Sequence, residues 1–246
     1  MNEIIESLYR RKSVRAFEDR AVSGEIKETL FAAAAQAPTA GCQQLYTILD
    51  ITDQGLKDKL AVTCDNQPFI AKAPVVLIFC ADCRRWYRAY QEAGCTPRAP
   101  GVGDLLRAVE DALIAAQNVV AAAESLGLGS CYIGDIMEQC ETHRALLNLP
   151  DWVLPAGMLV IGYPTEQQKN RPKPIRFERQ YVVQENGYRD LTGEELRAMF
   201  AGRTGGKDFD GYLAAFCARK YDSDFSREMT RSVAEYLKQY EGGSKA

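Results

Sequence analysis

Histidine is almost missing from this chain of 246 residues, since His143 is the only one. A zinc site would lack ligands, because the chain has a single Cys-x-x-Cys pair, Cys80 and Cys83, beside that one histidine. A Ser-His-Asp hydrolase would depend on His143, and no serine near it lies in a nucleophile elbow. The sequence therefore argues against both zinc and serine-hydrolase chemistry.

The chain also lacks a strong net charge and a long apolar run. A formal net charge of −3 gives no general attraction to nucleic acid or to an anionic membrane. The most apolar segment, 112–123, is too short to cross a bilayer, and residues 1–9 lack the apolar core of a signal peptide. The eight cysteines suit a reducing compartment. We expect a cytoplasmic protein that binds neither nucleic acid nor membranes.

What the chain does contain is a globular composition, with 46% hydrophobic and 26% charged residues. Segments with helical periodicity outnumber strand-like ones, and the two do not alternate strictly. We therefore predict an α+β fold with one mixed sheet flanked by helices. Strands are predicted over 45–51, 75–79, 154–163 and, at an edge, 181–183. Helices are predicted after the N-cap Asn2 and over 23–36, 53–62, 103–126, 141–147, 192–200, 209–219 and 226–240.

Three segments need separate interpretation. The helix over 103–126 is apolar nearly all round from Ala112, so we expect it to be buried on all sides, by a partner subunit or beneath the sheet. Residues 84–100 mix aromatics, charges and prolines, which indicates a helix followed by a loop that could lie over a site. The basic, proline-containing segment 169–179 is predicted to run extended over the surface.

Cys80 and Cys83 follow the predicted strand 75–79 directly. A thioredoxin-type redox pair can occupy such a junction. Buried structural cysteines are more common, so we interpret this pair as structural.

A run of cations near the start, Arg10-Arg11-Lys12-Ser13-Val14-Arg15, is the feature that most suggests ligand binding. Arginine offers a fork of donors that matches phosphate oxygens, and serine adds a hydroxyl donor. Basic runs are also common as solvated helix ends. From these residues alone, both a phosphate-bearing ligand and a solvated helix end stay open.

The pattern Arg-x-Ser-x-Arg-x-Phe in this run resembles the opening motif of the FMN-dependent nitroreductase family. Further motifs follow in that family's order: Ala37-Pro38-Thr39-Ala40-Gly41-x-x-Gln44, Gln67, 122–129 with Tyr132-Ile133-Gly134, and Gly162-Tyr163-Pro164 with its basic follow-on. The resemblance covers about residues 4–240 and points to the branch of flavin reductases and oxygen-insensitive NADPH nitroreductases. It implies one nitroreductase-like α+β domain over 1–246, forming a homodimer with two interfacial FMN sites. Residues 186–246 would form a C-terminal helical excursion.

The resemblance also implies which residues bind FMN. By matched motif they are Arg11, Lys12, Ser13, Arg15, Thr39, Ala40, Gln67, Tyr132, Ile133, Gly134, Lys173 and Arg176. The first three match phosphate and ribityl contacts, and Arg15 with Gln67 matches the pyrimidine edge of the flavin. The segment 132–134 matches the backbone facing N5, and Thr39 with Ala40 matches the partner subunit's contribution.

Two basic positions are less firmly fixed by the resemblance. Arg171 is an alternative to Lys173 and Arg176 for the second phosphate clamp, because the basic segment is slightly longer than usual. Arg219 matches an arginine that binds the 2′-phosphate of NADPH, which a multiply charged phosphate requires and NADH does not. A solvated charge at a helix end explains Arg219 equally well.

Three positions depart from the family pattern. Cys42 stands where asparagine is frequent, and Arg11 stands where the motif often opens with histidine. Asp135 replaces a second glycine after Gly134, so a carboxylate would lie near N5 and could alter the redox potential or the accepted substrate. Asp135 could equally cap the helix that follows it.

The resemblance implies an NAD(P)H oxidoreductase that reduces nitroaromatics, quinones or flavins by two-electron, ping-pong hydride transfer. No side chain has to act as acid, base or nucleophile, because the flavin carries the chemistry. Three alternatives stay open: a non-catalytic flavin-binding protein, a reductive dehalogenase on the same fold, and a thiol-redox protein using Cys80 and Cys83. The sequence does not identify the natural acceptor.

Overall fold

The computed structural model describes residues 2–205 and 207–244. The chain divides into two compact units, Met1–Arg171 with Glu228–Ala246, and Pro172–Arg227. We call the first the sheet unit, because it contains every strand that the structure describes, and the second the 172–227 unit. The predicted excursion over 186–246 overlaps the 172–227 unit but starts later and extends beyond it.

The sheet has four described strands, in the spatial order β1-β2-β4-β3. They are β1 (Tyr46–Asp50), β2 (Val75–Asp82), β3 (Gly129–Ile133) and β4 (Val153–Gly162). All three ladders between them are antiparallel. The parallel pairing of a mixed sheet is limited to an isolated bridge between Ser13 and Ser130. The α+β class is confirmed, whereas the edge strand predicted over 181–183 is wrong, because residues Arg179–Tyr181 form a 3-10 turn.

Helices make up most of the remaining regular structure in the described ranges. They are α1 (Glu3–Arg10), α2 (Gly24–Ala35), α3 (Gln54–Thr63), α4 (Phe69–Lys72), α5 (Arg84–Glu92), α6 (Val102–Ser125), α7 (Cys140–Leu146), α8 (Glu166–Asn170), α9 (Gly193–Phe200), α10 (Phe209–Lys220) and α11 (Asp224–Leu237). The side chains of Asn2, Ser23 and Asp53 cap α1, α2 and α3 by accepting a backbone N–H three residues on. The extended conformation predicted from residue 169 is wrong at its start, because Thr165 caps α8.

The long helix α6 lies against one face of the sheet. Its buried positions are mostly alanine and valine, whose short side chains let the helix approach the strands closely. Leu113 and Ile114 nevertheless stay 38% and 40% exposed. Helix α6 is therefore not buried on all sides within one chain. It does lie against the sheet, as one of the two alternatives predicted.

The other face of the sheet is covered by α3, α4 and a 3-10 turn over Asp135–Met137. Side chains along β2 alternate between the two faces, as a pleated strand requires: Leu77 and Phe79 pack on the α6 side, whereas Ile78 and Cys80 pack on the opposite side. No described helix is long and apolar enough to span a bilayer.

The 172–227 unit is held together by aromatic side chains. Phe200 lies 5.1 Å from Phe177 and 5.9 Å from Phe209 between ring centroids, each at a steep angle. Arg203 stacks 3.7 Å over Phe177 and donates to the carbonyl oxygen of Ile175. Gly206, the second glycine of the proposed Gly205-Gly206 linker, and the last two residues of the tail lie outside the described residues.

Candidate functional site

The cation run lies beside β3, which is an edge strand of the sheet. The backbone N–H of Val14 donates to the carbonyl oxygen of Ser130 at 2.9 Å, and Phe17 forms a second bridge with Pro164. Gly129 permits this approach, since a Cβ there would lie 2.5 Å from a methyl carbon of Val14. The run is therefore fixed against the sheet rather than continuing α1 as a solvated helix end.

Three of the residues predicted to bind FMN converge on β3. Burial raises the pKa of the Cys131 thiol. The positive charge of Arg15, a hydrogen bond with Ser13 and the positive charge of Arg11 each act to lower it. Burial raises the pKa of Tyr132 to about 12, with Arg11 opposing it. Two guanidinium groups and a hydroxyl thus lie close to the middle of β3.

Arg11 has an unusual polar environment within this group. Its Nε is buried and has no hydrogen-bond acceptor among the described residues. A buried guanidinium N–H without an acceptor is costly, so such a group commonly marks a position where a ligand binds. A phosphate oxygen would supply the missing acceptor.

Lys12 points to a different part of the molecule. Its Nζ donates to the carbonyl oxygens of Lys169 and Arg171, at 2.6 and 2.5 Å. A lysine is favourable there, because the last carbonyl groups of α8 lack helical partners and carry partial negative charge. Lys12 thereby ties the cation run to the start of the basic segment.

Arg15 lies near Phe69, in the segment that also contains Gln67. The Arg15 side chain is exposed, and its guanidinium carbon is 6.0 Å from the ring centroid of Phe69, two residues after Gln67. The backbone N–H of Arg15 donates to Gln168 Oε1 at 3.2 Å. The Gln67 amide donates to the carbonyl oxygen of Cys64 at 2.9 Å, which fixes its orientation.

Gly134 ends β3 beside open space. A Cβ built on Gly134 would meet no atom within 4 Å, and its φ of −82° is accessible to any residue. The glycine therefore leaves room for a neighbour rather than relieving backbone strain. Gly134 itself occupies the N-cap position of the turn Asp135–Met137, so the alternative in which Asp135 caps that turn is wrong.

Thr39 and Ala40 belong to a loop fastened to α6 by Asp111, a residue that sequence reasoning missed. The Thr39 hydroxyl and the Leu45 N–H donate to Asp111 Oδ2, the latter at 3.1 Å. The Ala40 N–H donates to Oδ1 at 2.9 Å. Asp111 is 3% exposed, and an acidic residue inside an apolar helix was the available signal, because such residues are rarely buried without partners.

The remaining predicted cations lie in or next to the 172–227 unit. Arg171 ends the sheet unit, while Lys173 and Arg176 begin the other one. The Arg176 guanidinium is exposed and donates to the carbonyl oxygen of Pro174 at 3.0 Å. Arg219 lies exposed in the last turn of α10, 5.2 Å from the ring centroid of Phe216.

The cysteine pair does not have the properties of a redox site. Cys80 lies within β2 and packs on one face of the sheet, whereas Cys83 packs on the other. Burial raises the pKa of both thiols to about 12, which disfavours the reactive thiolate. All eight cysteines are free.

His143 is equally structural. It is fully buried, and its ring nitrogens lie 2.9 Å from the carbonyl oxygen of Ile136 and 2.8 Å from the Thr63 hydroxyl. Within the described ranges, no group of three or more histidine, cysteine, aspartate or glutamate side chains could hold a metal ion.

Comparison with known proteins identifies the family. The model of the nitroreductase family matches residues 8–163. An FMN reductase (NADPH) from Bacillus subtilis is 35% identical over 206 residues, covering 81% of this chain and 80% of the relative. An oxygen-insensitive NADPH nitroreductase from Salmonella typhimurium is 35% identical over 201 residues, with 81% and 80% coverage. A nitroreductase structure from B. subtilis superposes with a TM-score of 0.81 at 30% identity, over 97% of this chain and 98% of that one. The chain belongs to the nitroreductase family.

Proposed function

We propose that the chain is an FMN-dependent NAD(P)H oxidoreductase that reduces nitroaromatics, quinones or flavins. Its relatives include FMN reductases and an oxygen-insensitive NADPH nitroreductase. The observation that carries the proposal is that Arg11, Ser13 and Arg15 all lie close enough to β3 to influence Cys131, on the strand that is followed by the open space at Gly134. This arrangement offers cations and a hydroxyl for the ribityl phosphate, and room for a flat ring.

The residues present fit FMN in chemical type. Arg11 would bind the phosphate, since its buried Nε needs an acceptor. Ser13 would donate to the ribityl or phosphate oxygens, and the ring would lie over the backbone 132–134. Lys12 would act indirectly, because its ammonium group already binds the end of α8. Lys173 and Arg176 would supply the second phosphate clamp.

When bound, FMN supplies the redox chemistry by accepting hydride from NAD(P)H and passing it to a second substrate in a separate half-reaction. The protein's part is to hold and orient the reactants. Arg15, with its exposed guanidinium near the 67–69 segment, would balance the negative charge that the ring gains on reduction. Arg219 would bind the 2′-phosphate of NADPH.

The active form is proposed to be a cytoplasmic homodimer. Two helices of the sheet unit present apolar side chains to the outside: on α1, Ile4 and Leu8 are 74% and 54% exposed, and on α6, Leu106 is 59% exposed beside Leu113 and Ile114. A second copy of the chain would cover this apolar surface. Thr39 and Ala40 would then contribute to the partner's flavin site.

The direct test is the absorption spectrum of the purified protein, followed by anaerobic titration with NADPH and NADH. We expect a flavin spectrum, either as isolated or after adding FMN, that NAD(P)H bleaches and a nitroarene or quinone restores. Arg11→Gln should raise the Kd for FMN about tenfold or more. Arg10→Gln removes the same charge from the neighbouring residue in α1 and should leave the Kd unchanged. Colourless protein that takes up no FMN would refute the proposal.

A further inference from the structure

A cavity of about 430 Å³ lies in the sheet unit. Trp86, Tyr87 and Tyr90 of α5 line it, together with Pro97 and Pro100 of the loop that follows. Sites for small molecules commonly measure about 300–1,000 Å³ and have mostly apolar walls with a few polar groups. None of the residues proposed above to bind FMN or NADPH lines this cavity.

The aromatic walls are held in place before any ligand arrives. Trp86 Nε1 donates to the carbonyl oxygen of Gln43 at 2.7 Å, which fixes the indole. The rings of Trp86 and Tyr90 lie 5.6 Å apart, and Tyr87 packs edge-on against Trp152 at 4.7 Å. Pre-organised rings lose little conformational entropy when they contact a ligand.

Two guanidinium groups and one carboxylate line another part of the cavity. Asp104 lies between them, with Arg98 Nη1 at 2.5 Å and Arg107 Nη2 at 2.8 Å. These hydrogen bonds, with that of Arg98 the largest influence, lower the pKa of Asp104 to about 2. Asp104 therefore stays ionised, and the group carries a net charge of +1. Arg107 uses only one Nη in this pairing and keeps further N–H donors.

We propose that this cavity binds a planar aromatic monoanion such as an arylcarboxylate. Its ring would pack among Trp86, Tyr87 and Tyr90, and its anionic group would accept from Arg107. A neutral aromatic would leave the positive charge unpaired, and an inorganic anion would leave the rings without a contact. A dianion would meet the carboxylate of Asp104.

The experiment is isothermal titration calorimetry of the purified protein with 1-naphthoate and, in parallel, with the neutral 1-naphthamide. We expect 1-naphthoate to bind at one site per chain. We expect 1-naphthamide to bind at least about tenfold more weakly. Arg107→Gln and Trp86→Leu should each weaken 1-naphthoate about tenfold.

Arg88→Gln is the matched control. It removes one positive charge from the same helix α5, yet Arg88 is exposed and does not line the cavity, so the Kd should not change. Arg107 is 54% exposed, so its variant should fold even where Trp86→Leu does not. Absence of binding, equal affinity for the two ligands, or an unchanged Kd in Arg107→Gln would each overturn the proposal. None of these results depends on the flavin assignment.

Discussion

Replacing Asp111 by asparagine should detach the loop Thr39–Leu45 from α6 while barely changing the size of the side chain. In the wild-type protein the two carboxylate oxygens accept from three donors: the Thr39 hydroxyl and the N–H groups of Ala40 and Leu45. Both oxygens must accept, and only the ionised carboxyl group can do this fully. The backbone N–H of Gln44 adds a further hydrogen bond within the same loop by donating to Thr39 Oγ1 at 2.7 Å.

The size of the effect follows from hydrogen-bond counting. An asparagine keeps one acceptor oxygen and turns an NH2 group toward at least one of the N–H donors. A buried donor left without an acceptor costs about 1–3 kcal/mol, and the bonds that persist lose the contribution of a charged acceptor. We therefore expect a loss of about 3 kcal/mol, a large part of the roughly 5–15 kcal/mol that keeps a domain folded.

Urea unfolding of the flavin-free protein, followed by circular dichroism, measures this loss. With a slope of about 3 kcal/mol/M for a chain of this size, the midpoint should fall by about 1 M. Glu110→Gln is the matched control, because Glu110 precedes Asp111 on α6 and is exposed. Its free energy of unfolding should stay within about 0.5 kcal/mol of wild type. If Asp111→Asn is as stable as Glu110→Gln, the carboxylate does not hold the loop.

Three further predictions concern pH and ligands. Burial, followed by Asp135, Asp65 and Glu228, raises the pKa of Glu138 from 4.5 to about 7. The folded chain therefore retains a proton that the unfolded chain releases, so stability should fall between about pH 4.5 and 7, by at most about 3 kcal/mol. Urea midpoints at pH 5 and 8 should show that Glu138→Gln removes this fall, and an unchanged fall would exclude Glu138 as its source. Arg15→Ala should raise the Kd for FMN about tenfold in fluorescence titrations and slow the reduction by NADPH; wild-type values for both would remove Arg15 from the site. Arg219→Ala should raise the KM for NADPH about tenfold but hardly that for NADH, and equal effects on both would exclude binding of the 2′-phosphate.

Local chemistry predicted most of the helices, because their start signals lie in the sequence. Asn2, Ser23 and Asp53 each cap the helix that was assigned to them. Strand β3 was missed because its context, 127–134, is rich in glycine, and glycine normally weakens a strand. The close approach of Val14 explains why residue 129 is a glycine, but this contact joins parts of the chain that are far apart in sequence. The pair Val182 and Val183 favoured a strand, yet no strand among the described residues pairs with it.

The candidate site was predictable in kind and only partly in arrangement. The resemblance supplied Arg11, Ser13 and Arg15, and the structure brings these three close to strand β3. It could not supply the placement of Lys173, Arg176 and Arg219, which belong to a separate compact unit. Asp111 is not part of any motif that carries the resemblance. A buried carboxylate that organises a loop leaves only a weak trace in one sequence.

The different fates of neighbouring cations in the run follow from the pairing of its backbone with the sheet. Residues 13 and 17 bridge to Ser130 and Pro164, so the run is held against the sheet at two isolated points, and its neighbouring side chains reach different surroundings. Arg11, Ser13 and Arg15 accordingly influence Cys131 together, whereas Val14 packs on Gly129 and Lys12 reaches α8. Residues 11–15 thereby divide into one set that lies toward the proposed FMN site and another that fastens the segment to the fold. Because its ammonium group already binds the end of α8, Lys12 is the least suited of the four polar residues to contact a ligand directly, although it lies within the motif.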